Sequence, residues 1–311
     1  MGAIIEPGEV AWGMQLPIQS KSSNFAQSWE ANAGAQELAS IVKAADTAGA
    51  FYVGVCDHIA VDRLSAEMMS TTWYDTIATL GWIAGMTSQV HLLSHVYVLP
   101  YRHPLSTAKA FATLDHLSGG RAILGAGAGH LKAEFEVLGL DHAQRGKAVE
   151  PAVTQIREAF GNEYTATEMG VSPRPSRSGG PPIWLGGSSP AAIRRAALLG
   201  DGWLPQGPPK MGTRAAIELI RELRSDAGLP VEFDMGVLIG PLHIGERREG
   251  MDAYTMCGGP EEIADNLAKL PQRGMNQLQF RFIADSAQEY CEQVERFGAE
   301  VAPLFPPAAI P

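Results

Sequence analysis

The stretch HLLSHVYVLPYRHPLSTAKAFATLDHLSGGRAILG, His91 to Gly125, decides the fold. It opens with an apolar run, His91–Leu99, that suits a strand, and continues through Leu105–Leu117 with helical spacing. Gly119-Gly120 stops that helix, and a second apolar run, Arg121–Gly125, follows at once. A strand, a helix and a strand with so little chain between them form the β/α unit of a parallel sheet. The same rhythm extends upstream. Trp12–Ile18 reads as a first strand, and Gln36–Ala48 as a helix with Leu38, Ile41, Val42, Ala45 and Ala48 on one face and Gly49 as its cap. Phe51–Cys56 is the next strand and Trp73–Met86 the next helix, so four units are legible before residue 130.

Downstream, helical patterns run from Leu131 to Phe160, and Gly161–Pro182 is polar, Pro-rich and irregular, the mark of an insertion. Ile183–Leu185 resumes the strands. Ser189-Pro190 supplies an N-cap and a first-turn proline for a helix over Ala191–Leu199 that Gly200 closes. Strands near Gly202–Leu204, Phe233–Ile239 and Gln277–Ile283 alternate with helices near Thr213–Ala227 and Pro260–Leu270. Eight strand and eight helical stretches in one chain predict an α/β protein, a (β/α)8 TIM barrel with loop insertions that fills residues 1–311 as a single domain.

Composition narrows the partners. Lys plus Arg number 24 against 34 Asp plus Glu, a formal charge of −10, with no basic run for nucleic acid or an anionic membrane to grip. Cys56, Cys257 and Cys291 are odd in number and widely spaced, which points to free thiols in the cytoplasm and gives no metal motif. Met1–Val10 lacks the basic start and apolar run of a signal peptide, and no stretch approaches a membrane span. H-E-x-x-H, G-x-S-x-G and G-x-x-x-x-G-K-[ST] patterns are all missing, which argues against zinc proteases, α/β-hydrolases and P-loop enzymes.

In such a barrel the reacting groups gather where strands end and βα loops begin. Asp57-His58 follows the run Phe51–Cys56, where a histidine can exchange a proton near neutral pH and an aspartate can hold a cofactor group, or where the pair simply caps a strand. Gly125, Gly127 and Gly129 alternate ahead of His130. They either clear space for a flat ring or allow a tight barrel corner, and they do not form a dinucleotide fingerprint because His130 stands at the third glycine position. Gly186-Gly187-Ser188 precedes the well-signalled helix start at Ser189, an arrangement suited to a phosphate and equally to a plain capped turn. Ser94 and His95 are polar in a strand expected to be buried on both faces, as mouth residues or as a satisfied core histidine.

These motifs, in their order, carry a resemblance. Val53–Ile59, Leu99–Pro104, Asp115–Arg121, Gly125–Gly129, Pro182–Gly187, Gly200–Trp203 and Gly259–Ile263 resemble the bacterial-luciferase-like oxidoreductases, more narrowly their coenzyme F420-dependent branch. The resemblance implies a pocket at the C-terminal ends of the strands, a deazaflavin within it, a small-molecule substrate and a homodimer. Asp57 is then expected at the deazaflavin head, with His58 as proton donor or acceptor; His130 stands as a second catalytic candidate or as a merely hydrogen-bonded loop histidine. His95-Val96 falls where relatives have a non-proline cis peptide behind the ring, Gly127 and Gly129 would line the ring and ribityl chain, and Gly186, Gly187 and Ser188 the phosphate. The sequence departs from relatives at His130, where the sugar-phosphate branch has a glutamate acid, and at His95, larger than the usual Gly or Ser. The reaction expected is hydride transfer between C5 of the deazaflavin and a small organic substrate. A reduced-FMN monooxygenase on the same barrel is the rival enzyme, and a non-catalytic flavin-binding paralogue is the rival from another class.

Overall fold

The computed structural model describes residues 2–23 and 25–309; Met1, Asn24, Ile310 and Pro311, which the expected domain also included, lie outside the described residues. Strands β1 (Ala11–Gln15), β2 (Tyr52–Val55), β3 (His91–Ser94), β5 (Ala122–Gly127), β6 (Ile183–Gly186), β7 (Gly202–Leu204), β8 (Asp234–Ile244) and β10 (Gln277–Phe282) pair in parallel. The ring closes through Ala11 opposite Gln277 and Gln277 opposite Gly236, giving an eight-stranded (β/α)8 barrel. Two further short strands, β4 (Tyr97–Val98) and β9 (Met256–Gly258), pair with β5 and β8.

The apolar run His91–Leu99 is therefore not one strand. It breaks between β3 and β4 at a cis His95–Val96 peptide, and β4 joins β5 two residues further on. The expected helix from Trp73 begins later, as α3 over Thr76–Ala84, because the Asp75 carboxylate accepts from Ala78 N at 2.8 Å and fixes the start there. Helix α1 (Ala35–Thr47) ends at Gly49 (φ +77°), and α4 (Pro104–Ser118) at Gly119 (φ +70°), the left-handed conformation expected of those glycines. Beyond Gly161, which ends the preceding helix, residues 162–182 hold only an isolated bridge between Tyr164 and Gly170. Arg174 ties this insertion down by donating to the carbonyls of Ala159, Phe160 and Asn162. Helix α10 (Ala287–Arg296) completes the outer ring where the sequence pattern was least regular.

Two apolar layers result. Between strands and helices packs the main core, which includes Leu38, Ile41, Phe111, Ile156, Phe280 and Phe297. Inside the barrel, Ile5, Tyr52, Leu93, Ile123, Trp184 and Leu204 fill the lower part, so the interior is packed and not a pore. The buried Asp234 carboxylate accepts from Ile4 N (2.9 Å), Ile5 N (3.2 Å) and Trp184 Nε1 (3.0 Å), sealing the bottom with the N-terminal segment. The opposite rim, where the strands end, is left for chemistry.

Candidate active site

Four strand ends converge at this rim. Beyond β2, Asp57 is buried and its carboxylate is fully engaged. Arg102 grips it through two bonds of 2.7 and 2.8 Å, Val98 N donates at 2.8 Å, and Thr76 Oγ1 lies 3.3 Å away. A fork-to-fork guanidinium–carboxylate pair with a backbone donor is among the strong hydrogen-bonded arrangements. Its effect here is to lock the chain after the β3–β4 break onto the end of β2. Arg102 also stacks over Tyr97, 4.1 Å from the ring centre.

His58 stands next in the chain with its ring largely covered. Its Nδ1 lies 3.0 Å from Glu134 Oε2, and its face packs against Trp73 with centroids 4.4 Å apart. Glu134 comes from α5 (Lys132–Val137), and its side chain has no exposure. Besides His58 it accepts from Tyr101 Oη at 2.8 Å, from Ala60 N at 3.1 Å and from Ile59 N. Burial works to raise the Glu134 pKa, but the bonds from His58, Ile59 N–H and Tyr101 outweigh it and hold the carboxyl below the usual glutamate range. The Tyr101 hydroxyl is correspondingly pushed far up by burial and by the bond to Glu134, so it donates and does not ionise. An ionised Glu134 that accepts at Nδ1 makes that nitrogen the proton-bearing one, which leaves Nε2 of a neutral His58 as the acceptor.

The sign of the pH response follows. A carboxyl whose folded pKa is depressed contributes stability that is present above its unfolded value and lost as pH falls through the folded value. Glu134→Gln is expected to cost about 1 to 3 kcal/mol at neutral pH, from the donors left poorly paired. The gap to the unsubstituted protein should narrow below the ordinary glutamate range, a difference that urea denaturation at pH 7 and near pH 3.5 would reveal.

The other sequence candidates lie on the same rim. His130 meets the His58 ring edge-on at 5.6 Å; partial burial of the ring and the nearby His58 lower its pKa, although the residue reaches solvent. His95 is buried, and burial lowers its pKa to about 4, so it is neutral near pH 7; its Nε2 is 3.4 Å from Gln206 Nε2. Below it, the Tyr52 hydroxyl bridges Gln279 and Gln277 inside the barrel. Cys56 accepts from Gln15 Nε2 at 2.9 Å, and burial pushes its thiol up to about 12, so it stays protonated.

Gly127 and Gly129 do not leave an empty slot on their side-chain side. A Cβ at Gly127 would stand 2.8 Å from Val96 Cγ2, one at Gly186 would stand 2.9 Å from Val96 Cγ1, and one at Gly129 would strike Val98 at 2.6 Å. The glycines of β5 and β6 thus form a cradle for Val96, whose isopropyl group they hold across the mouth as a ledge. Any ring there meets Gly127 and Gly129 through backbone atoms.

At the end of β6 the sequence signals an anion site, and the local geometry suits one. Gly187 adopts φ +114°, the Ser189 side chain caps helix α7 (Pro190–Leu199) by accepting from Ala192 N at 3.2 Å, and Ser188 Oγ donates to Gly207 O at 2.5 Å. Among the described residues the N–H groups of Ser188 and Ser189 have no protein acceptor, as a phosphate oxygen would require. The donor set, the Val96 ledge and the histidine with a free Nε2 fit a flavin-type cofactor with a phosphate-bearing tail.

The family model for luciferase-like monooxygenases matches residues 14–256, which spans all of these features except Gln277 and Gln279 of β10. The chain belongs to the luciferase-like oxidoreductase family. Its members supply the comparison in three forms. The 5,10-methylenetetrahydromethanopterin reductase of Methanopyrus kandleri is 30% identical, over 96% of this chain and 99% of its own. The solved coenzyme F420-dependent tetrahydromethanopterin reductase of that organism superposes with a TM-score of 0.73 at 20% identity, covering 96% of this chain and 99% of its own. A monooxygenase from Streptomyces bottropensis superposes with a TM-score of 0.74 at 19% identity, covering 94% and 99%. An FMNH2-dependent dimethylsulfone monooxygenase is also among the relatives, so F420- and FMN-dependent enzymes both stand there, and the family assignment makes this chain an enzyme of that oxidoreductase group.

Sequence reasoning brought Asp57, His58, His95, Val96, Gly127, Gly129, His130, Gly186, Gly187 and Ser188 to the rim, and all of them lie there. It passed over Glu134, Tyr101 and Arg102. Tyr101 and Arg102 lie inside a motif already noted, but nothing in sequence joins Glu134 to His58 across 76 positions.

Proposed function

We propose that this protein is a coenzyme F420-dependent oxidoreductase acting on a small organic substrate. The carrying observation is the pinned His58, whose Nδ1 is bound by Glu134 while its Nε2 is left for a substrate. Ser188, Ser189 N–H and Gly187 would hold the cofactor's phosphate, and Val96 with the backbone of Gly127 and Gly129 would support its ring. When bound, the deazaflavin supplies a hydride from its reduced C5 to an electrophilic carbon, or accepts one in the reverse direction. His58 Nε2 moves the accompanying proton to or from the substrate heteroatom, Glu134 fixes the imidazole tautomer, and the Asp57–Arg102 pair holds the ledge in place. Exposed Ile59, Leu64 and Met68 in the loop after β2 favour a substrate with an apolar body.

A thermal-shift comparison with F420 and FMN tests this reading. A ligand at 100 times its dissociation constant stabilises by about 2.7 kcal/mol, so F420 is expected to raise Tm by several degrees and FMN by less. A shift with FMN alone would turn the assignment to the reduced-FMN monooxygenase reading.

The reading extends to a homodimer in the cytoplasm. No helix among the described residues is long and apolar enough to cross a membrane, and Cys56, Cys257 and Cys291 are free thiols. The dimer is supported by an apolar groove between α3 and α4, lined by Ile77, Leu105, Ala110, Leu114 and Leu117, with Leu117 76% exposed. Leu117→Asp is expected to leave the fold intact and convert a two-chain species to single chains in sedimentation equilibrium. A wild-type protein that is already monomeric at micromolar concentration would remove the dimer from the account.

A further inference from the structure

The last barrel strand carries a charge that the reaction centre described above does not use. In β10 the Tyr52 hydroxyl contacts the side chains of Gln277 and Gln279, so alternate residues from Gln277 face the barrel interior. Leu278, Phe280 and Phe282 face the helices. Arg281, two positions after Gln279, falls on the inner face at the rim, in a cleft with Gln15, Ser20, Phe25, Glu30 and Tyr290. The cleft is narrow, with free space close to that of one water molecule, and the half-buried Arg281 keeps contact with solvent there.

Among the described residues the Arg281 guanidinium has no hydrogen-bond acceptor and no carboxylate within ion-pair distance; its one close partner is the Phe25 ring, 4.8 Å below it. Glu30 shares the cleft but is committed elsewhere, accepting from Ile18 N at 2.7 Å and Gln27 N at 2.8 Å. Among the described residues two more polar groups, one in the cleft and one on the neighbouring segment, lack partners although both residues are fully buried. These are the Tyr290 hydroxyl, which lines the cleft, and Gln19 Nε2, whose amide oxygen accepts from Cys56 N at 3.2 Å. Burial lowers the Arg281 pKa, with Glu30, Tyr290 and Cys56 opposing that shift as its charged or ionisable neighbours. A guanidinium with five N–H donors and no acceptor among the described residues, beside a hydroxyl with none among them, is the recognition chemistry of an oxyanion.

We propose that Arg281 and the Tyr290 hydroxyl form a binding subsite for a carboxylate or phosphate group on the molecule that enters the barrel mouth. The subsite lies beside β1, across the rim from the phosphate site at Gly187–Ser189 after β6, and so takes a second anion. Its assignment to the substrate rests on reading the rim as the reaction site. A substrate held there presents an apolar body to the loop after β2 and an anionic end to Arg281.

The test uses the full-length protein, its Arg281→Met and Arg281→Lys variants and, as a stability control, the Glu30→Gln/Arg281→Met double variant. Sodium benzoate and inorganic phosphate are titrated at constant ionic strength, with chloride as reference, and binding is read by calorimetry. At least one probe should bind the unsubstituted protein saturably, weaken tenfold or more in Arg281→Met, and recover in part in Arg281→Lys. The double variant should remain weak for the probe even if it restores thermal stability. Equal binding in the unsubstituted protein and Arg281→Met, or no saturable binding of either probe, overturns the subsite. So does recovery of binding in the double variant, which would make Arg281 only a counter-charge to Glu30. Parallel titrations with F420 and FMN identify the source of the anion. Cofactor affinity unchanged in Arg281→Met assigns the anion to the substrate, and a tenfold loss assigns it to the cofactor's tail; either result retains the subsite. Failure of both cofactors to bind the unsubstituted protein would remove the proposed activity and leave the anion measurement standing by itself.

Discussion

His58→Ala lowers turnover by about 10²- to 10⁴-fold while leaving cofactor affinity within a few-fold, the effect expected when a positioned proton-transfer group is lost. The split between the two quantities follows from geometry. His58 is held from the side by Glu134 and Trp73, and the groups that suit the cofactor's phosphate lie on another strand, beyond β6. Stopped-flow turnover and equilibrium cofactor titration on the same preparation check it. Undiminished turnover in His58→Ala would show that the proton passes elsewhere, and His130, whose ring contacts His58 edge-on at 5.6 Å, would be the next group to replace.

The second large effect concerns stability. Asp57→Ala strips a half-buried Arg102 of its bidentate partner and leaves the buried Val98 N–H unpaired, which is expected to cost about 2 to 4 kcal/mol. Removing both charges together, as Asp57→Ala with Arg102→Met, should cost less than Asp57→Ala alone, because no uncompensated guanidinium then remains. Urea denaturation of the single and double variants measures the difference. A single variant within 1 kcal/mol of the parent would mean that the pair does not anchor the strand ends. The Val96 ledge depends on the same anchor, so the surviving folded fraction of Asp57→Ala should also bind cofactor more weakly.

How far the sequence discloses this molecule depends on the range of the interaction concerned. The β/α alternation was legible because each strand is a short apolar run and several helices end at a glycine, signals carried by neighbouring residues such as Gly49 and Gly119. Local chemistry moved the boundaries that differed. The Asp75 cap delayed α3, and the His91–Leu99 run broke at His95–Val96 because β4 pairs with β5 in a new register. Rim residues could be placed because they follow strands directly. Glu134 could not, since Lys132, Glu134 and Glu136 alternate with apolar residues like the charges of an ordinary solvated helix. Only tertiary folding turns Glu134 inward to meet His58, Tyr101 and the Ile59–Ala60 backbone. The glycines of β5 were legible as a demand for space, but not as space for Val96, whose approach depends on how β3 and β4 are joined. Arg281 was hidden by an inverted pattern, polar residues inward and aromatic residues outward, which periodicity alone cannot orient.

The most direct measurement is a crystal structure of the protein with coenzyme F420 bound. The phosphate is expected on the N–H groups of Ser188 and Ser189, the ring against Val96, and space for a substrate atom within about 3 to 3.5 Å of both the deazaflavin C5 and His58 Nε2. A deazaflavin bound outside this rim, or one whose C5 faces away from His58 with Glu134 still holding Nδ1, would contradict it.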